Sequence, residues 1–149
     1  MSWIRQVAVV TVVGCLLALL PAPALAGRSE RILVDKINQV RASNGLRPLK
    51  ISKSLNRSSR SYLRTMRARR YFGHLSSIRM SRKFHKRGEV LAQNGGRAPK
   101  PGFAVRMWMN SAMHRSVLLD GGFRYIGVGR GYGSFGGRSV TGWVAQLGS

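Results

Sequence analysis

The only cysteine of this chain, Cys15, lies inside an N-terminal apolar run. No internal disulfide can close, so whatever folds must be held by packing alone. The N-terminus has the three parts of a secretory signal. Arg5 supplies the positive charge, Val7 to Leu20 the uncharged apolar stretch, and Ala24-Leu25-Ala26 a small-x-small cleavage site after Pro21 and Pro23. The apolar run is shorter than the ~20 residues of a spanning helix. Val12-Val13-Gly14-Cys15 resembles a lipobox, but Leu16 to Leu20 after it stays apolar, where a lipidated cysteine is followed by polar residues. Residues 1–26 are therefore expected to be a signal peptide, and 27–149 one exported domain, periplasmic or extracellular. That length suits one hydrophobic core and not two.

Charge is the second constraint. The chain holds 26 Lys plus Arg against 4 Asp plus Glu, a formal net charge of +22. Arginine dominates, and its guanidinium suits bidentate contact with phosphate and carboxylate. Such a surface favours an anionic partner: acidic lipid, an envelope polymer or, through non-specific charge, nucleic acid. It also makes each carboxylate, Glu30, Asp35, Glu89 and Asp120, worth explaining.

Hydrophobic spacing predicts a helix over Ser29 to Asn44, with Leu33, Ile37 and Val40 on one face and Asn44-Gly45 as the stop. Glu30 and Asp35 fall in its first half, where the helix dipole favours a carboxylate. Ser52 is the predicted cap of a second helix to about Arg70. Leu55, Ser59, Tyr62, Leu63 and Met66 form its inner face, and Arg57, Arg60, Arg64 and Arg67 the outer one. That arginine stripe reads as a solvated face that can also meet a polyanion. Tyr71 to Arg87 reads as irregular and basic, Glu89 to Gln93 as a short strand, and Asn94 to Gly102 as a loop. Phe103 to Asn110 is a predicted helix with Phe103, Met107 and Trp108 inward and Trp108 as its core anchor. A short turn follows over His114 to Leu119. Tyr125 to Gly129 and Val140 to Leu147 read as strands joined by a Gly-rich hairpin over Arg130 to Arg138. Gly127, Gly129 and Gly131 lie in that strand and hairpin, so they are not a phosphate loop before a helix. The order of elements indicates an α+β fold.

Three residues can carry chemistry: His74, Glu89 and His114, each at the edge of a predicted element. Two imidazoles and a carboxylate suit either a three-ligand zinc site or an acid–base set. Spacing alone does not say whether they meet.

The motifs around them resemble those of the CAP superfamily (cysteine-rich secretory, antigen 5 and pathogenesis-related proteins) in its bacterial SCP-like form. Asn38-Gln39-Val40-Arg41 with Gly45-Leu46-Arg47-Pro48-Leu49 is similar to its opening helix and turn. Phe72-Gly73-His74 resembles its first histidine motif, and Gly88-Glu89-Val90-Leu91-Ala92 its Gly-Glu-Asn-Ile-Ala motif, with Val90 where Asn is usual. Trp108 to Arg115 resembles Trp-x-x-Ser-x-x-His-Arg, and Phe123 to Gly129 the strand that follows. The resemblance implies a three-layer α-β-α sandwich with a small antiparallel sheet, and a cleft where His74, Glu89 and His114 converge. Many members place a second Glu shortly after the Trp. Here Asn110 and Ser111 stand there, so the cleft is at most a triad: no cofactor is required, and Zn²⁺ binding is expected to be weak. His85 matches no motif and reads as a surface residue.

Three functions follow as expectations. The first is a secreted, monomeric, non-enzymatic module for an anionic lipid or cell-envelope ligand. The second is a metal-assisted hydrolase using His74, Glu89 and His114. The third is a cationic nucleic-acid-binding or antimicrobial protein. With Cys15 removed and Ser111 lacking an orienting partner, no paired nucleophile is evident, which favours the first.

Overall fold

The structure is a computed structural model that describes residues 27–80 and 82–149. The signal-peptide reading of residues 1–26 and Cys15 lies outside the described residues. None of the described helices is long and apolar enough to cross a membrane.

Helix α1 (Arg28–Ser43) ends at Asn44, and Gly45 follows at φ 69°, the left-handed conformation that closes a helix. A two-residue strand β1 (Lys50–Ile51) leads into α2 (Lys53–Ala68), whose first turn is capped by the Ser52 hydroxyl accepting from the Leu55 amide. After the irregular basic segment come β2 (Arg87–Gly95), α3 (Pro101–Met109), α4 (Ala112–Leu118), β3 (Tyr125–Phe135) and β4 (Arg138–Gly148). Pro101 opens α3, where its missing N–H costs no hydrogen bond.

The strands lie in the order β1-β3-β4-β2. β3 and β2 flank β4 antiparallel along their whole lengths, while β1 pairs parallel with the start of β3. The sheet is thus antiparallel except at that edge, because the chain enters β1 from α1 and reaches β3 only after a long crossover. One face carries α1, α3 and α4 over Val90, Ala92, Ile126, Val128, Trp143, Ala145 and Leu147. The other carries α2 over Leu91, Phe135, Val140 and Val144. This is the three-layer α-β-α arrangement.

Three local expectations are corrected. First, the hairpin turn is shorter than Arg130 to Arg138, because β3 runs on to Phe135 and β4 starts at Arg138. Gly136 and Gly137 alone turn the hairpin, both at positive φ (58° and 78°) as a two-residue turn demands. The other glycines are strand residues facing α2. A Cβ at Gly127 would lie 2.1 Å from the Leu55 carbonyl carbon, and one at Gly129 2.6 Å from the Arg60 nitrogen, so the helix backbone rests directly on the strand. Second, α3 buries Ala104, Val105 and Trp108, while Phe103 and Met107 are 38% and 43% exposed. Ala104, Val105 and Trp108 share the inner face of α3, which leaves Phe103 and Met107 beside it at the boundary with solvent. Third, β2 is longer than Glu89 to Gln93 because β4 pairs with it from Arg87 to Gly95.

Trp108 is buried and donates from its indole N–H to the Leu91 carbonyl at 2.8 Å, which fastens α3 to β2. One arginine is a core residue. Arg41 is fully buried and donates to the carbonyls of Leu118 (2.7 Å), Arg47 (3.0 Å) and Asp120 (3.1 Å), tying α1 to the end of α4. Burial lowers its pKa from the ordinary arginine value, against the opposing pull of Asp120.

Candidate functional site

The cleft is built on the outer strand β2. Glu89 faces the α2 side, and the antiparallel register sets Gln146 of β4 directly opposite it. Directly opposed residues are within side-chain reach, and Gln146 Nε2 donates to Glu89 Oε2 at 2.8 Å. The amide oxygen of Gln146 accepts from the Ser58 hydroxyl of α2 at 2.6 Å. Its Nε2 also reaches the Arg79 carbonyl at 3.3 Å.

His74 approaches from the segment between α2 and β2. Its Nδ1 lies 2.9 Å from Glu89 Oε1. A carboxylate only accepts, so Nδ1 carries the proton and Nε2 of the neutral ring is left as acceptor. The Glu89 side chain is 2% exposed and that of His74 45%, so a buried anion orients an accessible imidazole. Tyr62 holds the segment in place. Its hydroxyl donates to the Gly73 carbonyl beside His74 and accepts from the Tyr71 hydroxyl at 3.3 Å. Burial, the Tyr71 contact and the Glu89 charge all raise the Tyr62 pKa.

His114, near the start of α4, completes the cluster: its ring centroid is 6.4 Å from that of His74. Burial lowers its pKa below the usual 6.5, and the nearby His74 adds to the effect. The structure thus brings His74, Glu89 and His114 to one place. Asn110 and Ser111 add no carboxylate, and His85 is exposed.

Sequence reasoning missed Gln146, Ser58 and Tyr62. Gln146 had a signal: it is a polar residue inside the apolar run Val144 to Leu147, fully buried, and a buried amide requires partners. Glu30 was also read too simply. It is buried, accepts from the Ser29 hydroxyl at 3.0 Å, and lies 3.8 Å from Arg60 and 3.9 Å from Arg130. The helix dipole is therefore only part of its setting.

The arginine stripe divides. Arg57, Arg60, Arg64 and Arg67 are all exposed. Arg60, Arg64 and Arg67 line a groove with Arg130 of β3; Arg57 does not.

These features match a known family model. The description "Cysteine-rich secretory protein family", CAP, matches residues 34–147. The chain belongs to the CAP family. The CAP domain is 32% identical over 114 residues to the uncharacterized protein YkwD of Bacillus subtilis, covering 72% of this chain and 44% of that protein. It is 30% identical over 110 residues to the uncharacterized membrane protein YlbC of the same organism, covering 68% of this chain and 31% of that one. The chain therefore spans less than half the length of these curated relatives. Among solved structures, an outer surface protein of Borrelia burgdorferi superposes with a TM-score of 0.70 at 20% identity, covering 82% of this chain and 92% of that one. An extracellular protein containing an SCP domain from Bacillus anthracis superposes with a TM-score of 0.65 at 20% identity, covering 83% and 41%.

The resemblance raised a divalent metal, and the donor set decides its fit. Among the described residues, no three His, Cys, Asp or Glu side chains stand where they share one ion. Both Glu89 oxygens are already engaged, by His74 and Gln146. In this CAP domain Glu89 stands as the hydrogen-bond partner of the His74 imidazole. Two imidazoles alone do not make the three-ligand zinc site.

Proposed function

We propose that this CAP domain acts outside the cytoplasm as a non-enzymatic binding module for an anionic lipid or cell-envelope ligand. The observation that carries the reading is uncompensated charge. Among the described residues, Lys and Arg side chains meet a carboxylate only at Arg60, Arg130 and Lys86. The remaining exposed cations present an unneutralised basic surface, which attracts and concentrates anions. Export is supported by the signal-like residues 1–26 and by relatives described as extracellular or outer-surface proteins.

The hydrolase reading has one feature in its favour, the Glu89–His74 pair, which has the form of a carboxylate-oriented base. Among the described residues, no side-chain hydroxyl or thiol is hydrogen-bonded to the His74 imidazole. Ser111, at the start of α4, makes no side-chain capping bond.

The test is binding of the purified protein to anionic vesicles and to soluble phosphate polymers over a range of salt. Affinity should fall steeply between low and physiological ionic strength, because bound counterions are released. Affinity that is flat with salt, or substrate turnover lost on replacing Glu89, would contradict the proposal.

A further inference from the structure

The open edge of β3 carries a second feature, remote from the imidazoles. β1 covers only Tyr125 and Ile126, so β3 runs on without a neighbouring strand on that side. There α2 and β3 enclose a groove of about 240 Å³. Its rim is Arg60, Arg64 and Arg67 from the helix and Arg130 from the strand, and its floor is Leu63, Gly131 and Phe135.

Several observations show that the groove is lined by excess positive charge. Of the four arginines, Arg60 and Arg130 lie 3.8 and 3.9 Å from one carboxylate, Glu30, and among the described residues Arg64 and Arg67 meet none, which leaves an excess of three positive charges. The Arg130 Nε is shielded from solvent and makes no hydrogen bond among the described residues, with Glu30 Oε2 3.9 Å away, a costly state for a buried donor. Gly133 admits the Arg67 stem, since a Cβ there would lie 2.5 Å from Arg67 Cδ. Charged residues on an open edge also block strand addition. That role accounts for Arg130 on the strand, but not for three helix arginines beside it.

We infer that this groove binds a base-free phosphate chain, the backbone of an anionic envelope polymer. The inference rests on the anionic-ligand reading above and gives it a site. Arg60, Arg64 and Arg67 lie on one helical stripe and span about 10 Å along the axis, which suits a linear ligand carrying several phosphates. Guanidinium groups bind phosphate oxygens bidentately. A membrane surface is disfavoured because the exposed large apolar side chains, Ile32, Ile51, Phe103, Met107, Met113 and Tyr125, are none of them in the groove. Nucleic-acid bases are disfavoured because stacking needs an exposed ring. Phe135 is 1% exposed, and Tyr132 is covered by Arg97 at 4.7 Å.

The experiment measures affinity of the full protein for a short inorganic polyphosphate, an abasic deoxyribose-phosphate oligomer and a single-stranded oligonucleotide of equal phosphate number. Arg64→Gln with Arg67→Gln should weaken polyphosphate binding by about tenfold or more. The slope of log K against log salt should become shallower by about 1.4, at about 0.7 for each phosphate that is no longer neutralised. Lys53→Gln with Arg57→Gln removes the same charge from the same helix outside the groove, and should cost about twofold or less. Thermal melts confirm that both exposed pairs leave the fold intact. Equal losses from the two pairs would overturn the groove while leaving the anionic-ligand reading standing; no binding by wild type would overturn both. The abasic oligomer should bind as tightly as the oligonucleotide, and a clear preference for the base-bearing strand would overturn the base-free assignment.

Discussion

The cleft and the groove lie at opposite edges of one sheet, Glu89 on β2 and Arg130 on β3, with α2 contributing to both. In the cleft a buried carboxylate is fully matched: His74 takes one oxygen, Gln146 the other, and Ser58 satisfies Gln146 in turn. In the groove only Arg60 and Arg130 approach a carboxylate, Glu30, at 3.8 and 3.9 Å, and among the described residues Arg64 and Arg67 meet none. A saturated network fixes positions, whereas an unsaturated one has affinity left for a ligand. The shared imidazole motif therefore does not by itself locate where this domain binds.

The largest expected effect tests how strongly the cleft edge is fixed. Trp108→Ala removes a fully packed indole and leaves the Leu91 carbonyl of β2 without its donor. It should cost ~3–5 kcal/mol, read as a large fall in melting temperature; a wild-type melt would show that β2 is held by other means.

Glu89→Gln separates the two edges. It discharges the buried partner of His74 and forces two amides to face one another, so unfolding free energy should fall by about 1–3 kcal/mol. Polyphosphate affinity should stay within about twofold of wild type. A matching loss of affinity would join the two edges into one site.

A smaller effect is the pH dependence of His114. Its folded pKa lies below the usual 6.5, so the unfolded chain binds the proton more readily. Stability from this residue is therefore full above that value and declines as pH falls below it. Denaturant melts of His114→Gln should show a shallower decline through that window. An unchanged profile would place the titration on another group.

Smaller still is the response to Zn²⁺. With Glu89 engaged, His74 and His114 should bind the ion too weakly for stoichiometric titration, and added Zn²⁺ should scarcely move the melting temperature. Tight binding lost in Glu89→Gln would show that the carboxylate leaves Gln146 to take a ligand's place.

Much of this architecture was legible in the sequence because its signals are local. The 3.6-residue spacing of Leu55, Ser59, Tyr62 and Met66 gave the inner face of α2, and Ser52 its cap. The family motifs singled out His74, Glu89 and His114. What stayed hidden depends on the partner element. The sequence reads as a strand ending at Gly129, with Gly131 and Gly133 in the turn, because a strand pressed against a helix must lack side chains, and that pressure is invisible in the strand alone. The burial of Arg41 left no trace in its own helix because the carbonyls it serves belong to Arg47, Leu118 and Asp120. Gln146 meets Glu89 only through the β2–β4 register. Arg57 belonged to the same stripe as Arg60, Arg64 and Arg67 until β3 chose which of them it would meet.

The central claim, that ligand affinity resides in the unsaturated edge and not in the imidazole cleft, is tested most directly by calorimetric titration of polyphosphate into two variants. Arg64→Gln/Arg67→Gln alters the groove, and His74→Gln/His114→Gln alters the cleft. The account predicts that affinity falls about tenfold or more in the first and stays within about twofold of wild type in the second; the reverse pattern would contradict it.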